Sequence, residues 1–170
     1  MQLAETNTLD RVAFREKILN AQARMDAIAR DNPALDVSGQ CTLTHTYTPI
    51  HEEYGCGTYA RQIFMPKGAL VVGKIHRHAH LNFIMKGKVS VATEFGPKVF
   101  EAPCVFVSEV GLKRAVYIEE DTIWVTVHQT KFTGEENLDK MEVELIAPEY
   151  GDMGMIASVE ALQRLSLIHI

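Results

Sequence analysis

Residues 68–87 read Gly68-Ala-Leu-Val-Val-Gly-Lys74-Ile-His76-Arg-His78-Ala-His80-Leu-Asn-Phe-Ile-Met-Lys-Gly87. Two short apolar runs, Leu70–His76 and Leu81–Met85, meet at three histidines in alternate positions, and a glycine stands at each end. Runs this short, rich in β-branched residues and bounded by glycine, predict strands rather than a helix. On one continuous strand the three histidines face the same way. At roughly 3.3 Å per residue, His76 and His80 would nonetheless stand about 13 Å apart, so both reach one ion only if the chain turns between them. Neutral imidazole is the commonest protein ligand for zinc, copper, iron and nickel. A solvated strand that happens to carry three histidines is the other reading of the same letters.

The same texture continues on both sides. Thr42–Thr48, Tyr59–Met65, Val89–Thr93, Val99–Glu101, Val105–Ser108, Lys113–Ile118 and Thr122–Thr130 are further short β-type runs, punctuated at Pro66-Lys67-Gly68 and Gly96-Pro97. Many strands at this spacing predict an antiparallel sandwich or barrel, not a βαβ sheet. Upstream, Leu9, Val12, Ile18, Leu19, Met25 and Ile28 recur at helical spacing, with Arg11, Arg15, Glu16 and Lys17 free to stay in water. Asn32-Pro33 ends that helix, because the residue before a proline is pushed out of the α region. Glu135–Ile146 predicts a short helix, and Ser158 a cap for a last turn or two. The expected organisation is an N-terminal helix and linker over 1–40, a barrel over 41–132, a C-terminal helical appendage over 133–164, and a foreign tail over 165–170. Leu165-Ser-Leu-Ile-His-Ile170 is what CTG TCT CTT ATA CAC ATC encodes, which resembles the end of a transposon-derived sequencing adapter. The tail is therefore expected to be non-native, from a gene read out of fragmented metagenomic DNA, and His169 to carry no function.

The totals exclude several classes. A net charge of −5 gives no basic footprint, so no nucleic acid is expected as a partner. No apolar run approaches the roughly 20 residues of a membrane helix, and no membrane partner is expected. MQLAETNTLDR has neither a basic leader nor an apolar signal core, which makes a cytoplasmic setting the expectation. Cys41, Cys56 and Cys104 lack CxxC spacing and read as free thiols.

The spacing around the histidines resembles the cupin superfamily. Its first motif is a glycine, five residues, HxH, three or four residues, a glutamate, six residues and a glycine. Gly68, Lys74-Ile75-His76, His80 and Gly87 fit without a gap, with Lys74 in the place of the first histidine and His80 in that of the glutamate. The second motif is a proline, any residue, a glycine, two residues and a histidine. Glu109-Val110-Gly111-Leu112-Lys113-Arg114 keeps only its glycine, with Arg114 in the histidine slot. The resemblance covers roughly Tyr59 to Thr130. It implies an all-β, cupin-type antiparallel β-barrel (a jelly-roll), here with an N-terminal helix and a short C-terminal helical segment.

Members of that superfamily hold a metal with three histidines and a glutamate, and carried over by position only His76 and His80 remain. A tight hairpin through Glu119-Glu120-Asp121 would set Arg114 opposite Thr126 and put His128 on the same face as Arg114. His76, His80 and His128 are then expected to hold one divalent transition metal (Fe, Cu, Zn, Ni or Mn) and to leave positions open. Uptake should fall below about pH 6, where free imidazoles protonate. His78 is a fourth candidate ligand unless the turn swings it to the surface. Lys74 and Arg114, if they point inward, are the candidate catalytic cations and suit an anionic small-molecule substrate. On the other reading Lys74 faces solvent and Arg114 pairs with an acid such as Glu109. Tyr59, Arg61, Gln62 and Trp124 are candidates to line the pocket, while His45 and His51 read as surface or satisfied residues. The resemblance implies a metal-dependent enzyme of oxidase, dioxygenase, lyase or isomerase type, and a homodimer. The same segment also resembles uncharacterised cupin-like proteins encoded by bacteriophages, which implies the alternative of a non-catalytic accessory protein.

Overall fold

The computed structural model describes residues 7–167, so His169 and the end of the suspect tail lie outside it. A helix, α1 (Thr8–Asp31), comes first. Asn7 caps it by accepting from the Leu9 amide at 3.1 Å, and Pro33 follows its end. Only Val12, Arg15 and Ile18 are buried on it, whereas Leu9 and Ile28 of the expected apolar stripe stay exposed. Arg15, expected in water, is buried because an acid of the barrel lies beneath it. Glu94, in the turn between two barrel strands, stands 2.6 Å from Arg15 Nε and 3.5 Å from Arg11 Nε.

The strands follow as β1 (Thr42–Tyr47), β2 (Gly57–Met65), β3 (Leu70–Val72), β4 (Ile75–His76), β5 (His80–Lys86), β6 (Lys88–Thr93), β7 (Gly96–Glu101), β8 (Cys104–Ser108), β9 (Ala115–Ile118) and β10 (Thr122–Thr130). Among the described residues all of these but β4 form a five-stranded sheet, β1-β2-β10-β5-β8, and a four-stranded sheet, β3-β9-β6-β7. Both are antiparallel. Met65, Ile84, Val89, Val91, Val116, Ile118 and Trp124 fill the space between them. This is an antiparallel two-sheet barrel of the jelly-roll type, as the sequence predicts. Gly87, the last glycine of the motif, has φ +85 in the tight β5–β6 turn, where a Cβ would stand 2.4 Å from the Asp121 carbonyl oxygen.

Two sequence expectations about pairing fail. Leu70–His76 is not one strand: the chain breaks at Gly73-Lys74, where the Gly73 amide donates to the Arg114 carbonyl and the Lys113 ammonium donates to the Gly73 carbonyl. The turn at Glu119–Asp121 is not a hairpin either. It carries the chain from one sheet to the other, so β9 pairs with β3 and β6, and β10 with β2 and β5. Arg114 therefore does not sit opposite Thr126.

The C-terminal segment holds α2 (Leu138–Leu145), β11 (Ile146–Ala147) and α3 (Val159–Leu167). β11 pairs with β4, setting Ile146 opposite His76. α3 packs against α1, with the Val159 amide donating to Glu16. Cys41, Cys56 and Cys104 are free thiols. Among the described residues no helix is long and apolar enough to cross a membrane.

Glu94 and Arg15 are both almost fully buried, so removing one charge strands the other in a medium that solvates it poorly. Glu94→Gln is expected to cost about 3 kcal/mol or more of unfolding free energy. Urea denaturation measures it, and a change within about 0.5 kcal/mol would show that the ion pair does not hold α1 to the barrel.

Candidate metal centre

Strand register stacks the inward side chains of the large sheet in rows. Tyr59 lies opposite His128, and His80 opposite Ser108, at the end of the barrel beneath α2. One step inward the row reads His45, Arg61, Thr126, Asn82, and one step further Leu43, Ile63, Trp124, Ile84. Polarity thus falls along the barrel axis, from histidines through amides and a guanidinium to hydrocarbon. These rows, the opposite sheet and α2 enclose a cavity of about 370 Å³.

His76, His80 and His128 converge on this cavity from β4, β5 and β10. One ring nitrogen from each lies within 4.8 Å of the others. The ring centroids of His76 and His80 are 4.2 Å apart, those of His80 and His128 4.4 Å, and those of His76 and His128 5.0 Å. The chain bends at Arg77–Ala79, which replaces the separation of a straight strand with contact. The C-terminal segment holds that bend: the Arg77 amide donates to the Leu145 carbonyl, and its Nε to the Ile146 carbonyl at 3.0 Å. The His76 carbonyl in turn accepts from the Gly111 amide.

The donor set fits a metal. His80 Nδ1 lies 3.2 Å from the His78 carbonyl, so it is the protonated nitrogen and Nε2 keeps a free lone pair. Buried His80 Nε2 has no hydrogen-bond partner, nor has buried His76 Nδ1. Unpartnered buried nitrogens are costly unless something outside the chain satisfies them. Desolvation, then the neighbouring His80 and His128 rings, pushes His76 down to about 2. Desolvation and then His80 push His128 down to about 3, and burial lowers His80 as well. All three are neutral imidazoles at pH 7, the form that binds metals.

The other sequence candidates fall elsewhere. His78 is exposed in the bend and outside the group; it contributes its carbonyl, not its ring. Lys74 does not point inward. More than half exposed at the cavity rim, it pairs with Glu142 of α2 at 2.5 Å. Arg114 is buried on the cavity wall, with Phe106 and Trp124 rings at 5.9 and 5.5 Å and the Ser108 hydroxyl as its hydrogen-bond partner. Glu109 is exposed and does not pair with it. Burial pushes Arg114 down to about 10, which leaves it a cation at neutral pH.

Tyr59, Arg61 and Trp124 line the cavity, whereas Gln62 faces outward and is exposed. His51 is exposed beside Tyr54. His45 is satisfied by the Tyr59 hydroxyl at 2.8 Å, yet it also lines the cavity. Asn82 was missed, although the two-residue period from His80 points to it. It is fully buried, accepts from Trp124 Nε1 at 2.9 Å and faces the cavity. The α2 residues Leu138, Met141 and Glu142 were missed too, and nothing local in the sequence assigns them to the site.

No protein-family sequence model matches the chain, and no curated protein is similar to it. Solved structures are similar over about half of it. One is the Cupin_2 domain of an XRE family transcriptional regulator from Enterobacter cloacae, 10% identical over 51% of this chain and 93% of that chain, with a TM-score of 0.41. KdgF from Halomonas sp. is 15% identical over 57% and 93%, with a TM-score of 0.39. An RmlC-like cupin from Shewanella frigidimarina is 18% identical over 56% and 90%, with a TM-score of 0.40. Similarity at this level says nothing of activity, and the fold stands on the strand order itself.

Because burial lowers His76 and His128 below the 6.5 of a free imidazole, the unfolded chain binds more protons than the folded one between those values. The stability they allow is complete above about pH 6.5 and declines as the pH falls toward 3. Metal-free protein is therefore expected to lose unfolding free energy on acidification from pH 7 to 5, and His128→Leu to flatten that loss. Equal slopes for the two proteins in denaturant titrations would contradict the neutral, buried histidine. While the barrel stays folded, release of a metal should begin below the pH 6 expected of free imidazoles.

Proposed function

We propose that this chain is a metal-dependent enzyme that acts on a small anionic molecule. The observation that carries the reading is that three neutral imidazoles, two buried and one half-buried, stand in the wall of a cavity large enough for a ligand. A structural ion closes its shell with protein ligands, whereas three donors facing a void leave positions for water or substrate. That contrast favours catalysis over the accessory, phage-type alternative. A divalent Fe, Cu, Zn, Ni or Mn ion held by His76, His80 and His128 would supply Lewis-acid polarisation or dioxygen binding, the basis of oxidase, dioxygenase, lyase or isomerase chemistry.

The chain's own residues do the rest. The His78 carbonyl orients the His80 ring. Arg114, with no acid beside it, is placed to grip an anionic group, and Trp124 and Ile63 keep the inner end of the cavity dry. α2 covers the open end.

Elemental analysis of purified protein is expected to find one transition metal per chain. Alanine at His76, His80 or His128 should lower occupancy strongly, because each removes one of three donors, while His78→Ala and His51→Ala leave it near wild type. Full occupancy in the triple alanine variant would remove the proposal.

We also propose a homodimer, in which a second copy covers β8. Among the described residues this strand pairs on one side only, and Val107 lies exposed opposite the exposed Leu81 of β5, with Val105 exposed two residues along. An antiparallel edge related by a two-fold axis is self-complementary. Light scattering should give twice the chain mass, and Val107→Glu should halve it. A monomeric wild type excludes the pairing.

A further inference from the structure

Two guanidinium groups face the cavity without a counter-ion. Arg114 lies just before β9 of the four-stranded sheet, with its guanidinium against Ser108, Phe106 and Trp124, and Arg61 lies on β2 of the five-stranded sheet; both line the cavity. Among the described residues neither forms an ion pair. The acids that line the cavity, Asp139 and Glu142, are both on α2 at its outer end, where Asp139 is exposed and Glu142 is paired with Lys74. The inner cavity therefore carries two cations and no anion. The histidine set holds no carboxylate, so an ion bound there would add two more positive charges.

Arg114 is buried with only the Ser108 hydroxyl and the Phe106 and Trp124 rings as partners, Arg61 is half-buried, and the inner walls offer neither of them a carboxylate. One anionic group on a ligand would leave the other guanidinium unmatched. Ile63, Val116 and Trp124 give the cavity apolar surface beside the polar Asn82 and Thr126. A cavity of about 370 Å³ is near the small end of ligand pockets, which run from about 300 to 1,000 Å³.

We propose that the cavity binds a short-chain dicarboxylate, one carboxylate on Arg114 and the other on Arg61, with its hydrocarbon against Trp124. This deepens the proposed function and rests on it for the cavity being the place where substrate sits. A planar guanidinium grips a carboxylate through two parallel hydrogen bonds, a geometry that lysine cannot reproduce.

Titration calorimetry with succinate, glutarate and butyrate tests this, on metal-loaded and on chelator-treated protein. The dicarboxylates are expected to bind about tenfold tighter than butyrate or better, since they add a second charged contact. Arg61→Met and Arg114→Met should each reduce that advantage to nothing. Arg61→Lys, which preserves the charge and disturbs the fold least, should keep part of it; circular dichroism checks that each variant is folded. Equal affinity for butyrate and succinate, or an Arg61→Met protein that keeps its preference, would overturn the proposal. A preference for dicarboxylates in protein that takes up no metal would support this inference and remove the metal-enzyme reading. Metal uptake without the preference would do the reverse.

Discussion

The site depends on one bend, at Arg77–Ala79. Three residues must carry the chain from one sheet to another so that His76 and His80 touch, and a bend this short has few hydrogen bonds of its own. The support comes from 69 residues downstream, where the Ile146 carbonyl takes up the Arg77 side chain, the Leu145 carbonyl its amide, and β11 lies along β4. The same segment brings α2 over the barrel's open end. One non-local contact therefore shapes the histidine cluster and encloses the cavity beside it.

Around that bend, electrostatics and packing act in concert. Burial strips the three imidazoles of protons, and the uncompensated charges of Arg61 and Arg114 add to the same effect on His76. The same guanidinium charges are what the proposed binding of an anion would draw on. The apolar inner row, with Trp124 tied to Asn82, ends the polar region abruptly and gives the cavity two chemically distinct ends.

Much of this was legible in the sequence because it is local. The β-type run at Thr122–Thr130, the helix stop at Asn32-Pro33 and the punctuation at Gly68 and Gly87 all translate directly into backbone geometry. His128 was singled out by an argument that fails. The hairpin between β9 and β10 does not exist, but the two-residue period along β10 alone already places His128 on the face of Trp124 and Thr126. What the sequence hid is long-range. An arginine on a strand reads the same whether it points to water or into a cavity, so Arg61 stood only as one candidate for the pocket wall beside Gln62, which faces outward. β11 is two residues long, too short to show a period, and its partner is far away in the chain. Arg15 was read as solvated because Glu94, which draws it inward, lies in a turn with an ordinary surface composition.

The pairing of β4 with β11 also orders events during synthesis. A chain is made from its N-terminus, at about 5–20 residues per second, and its parts can begin to fold as they emerge. The strands carrying His76, His80 and His128 are all complete by Thr130, before Ile146 and Ala147 exist. For those seconds the nascent barrel has its imidazoles but not the segment that braces and covers them. An ion bound as proposed would meet an open vestibule then, and would have to pass α2 later. The order of residues along the chain would thus leave a brief interval in which loading is easiest, closed by the last strand among the described residues.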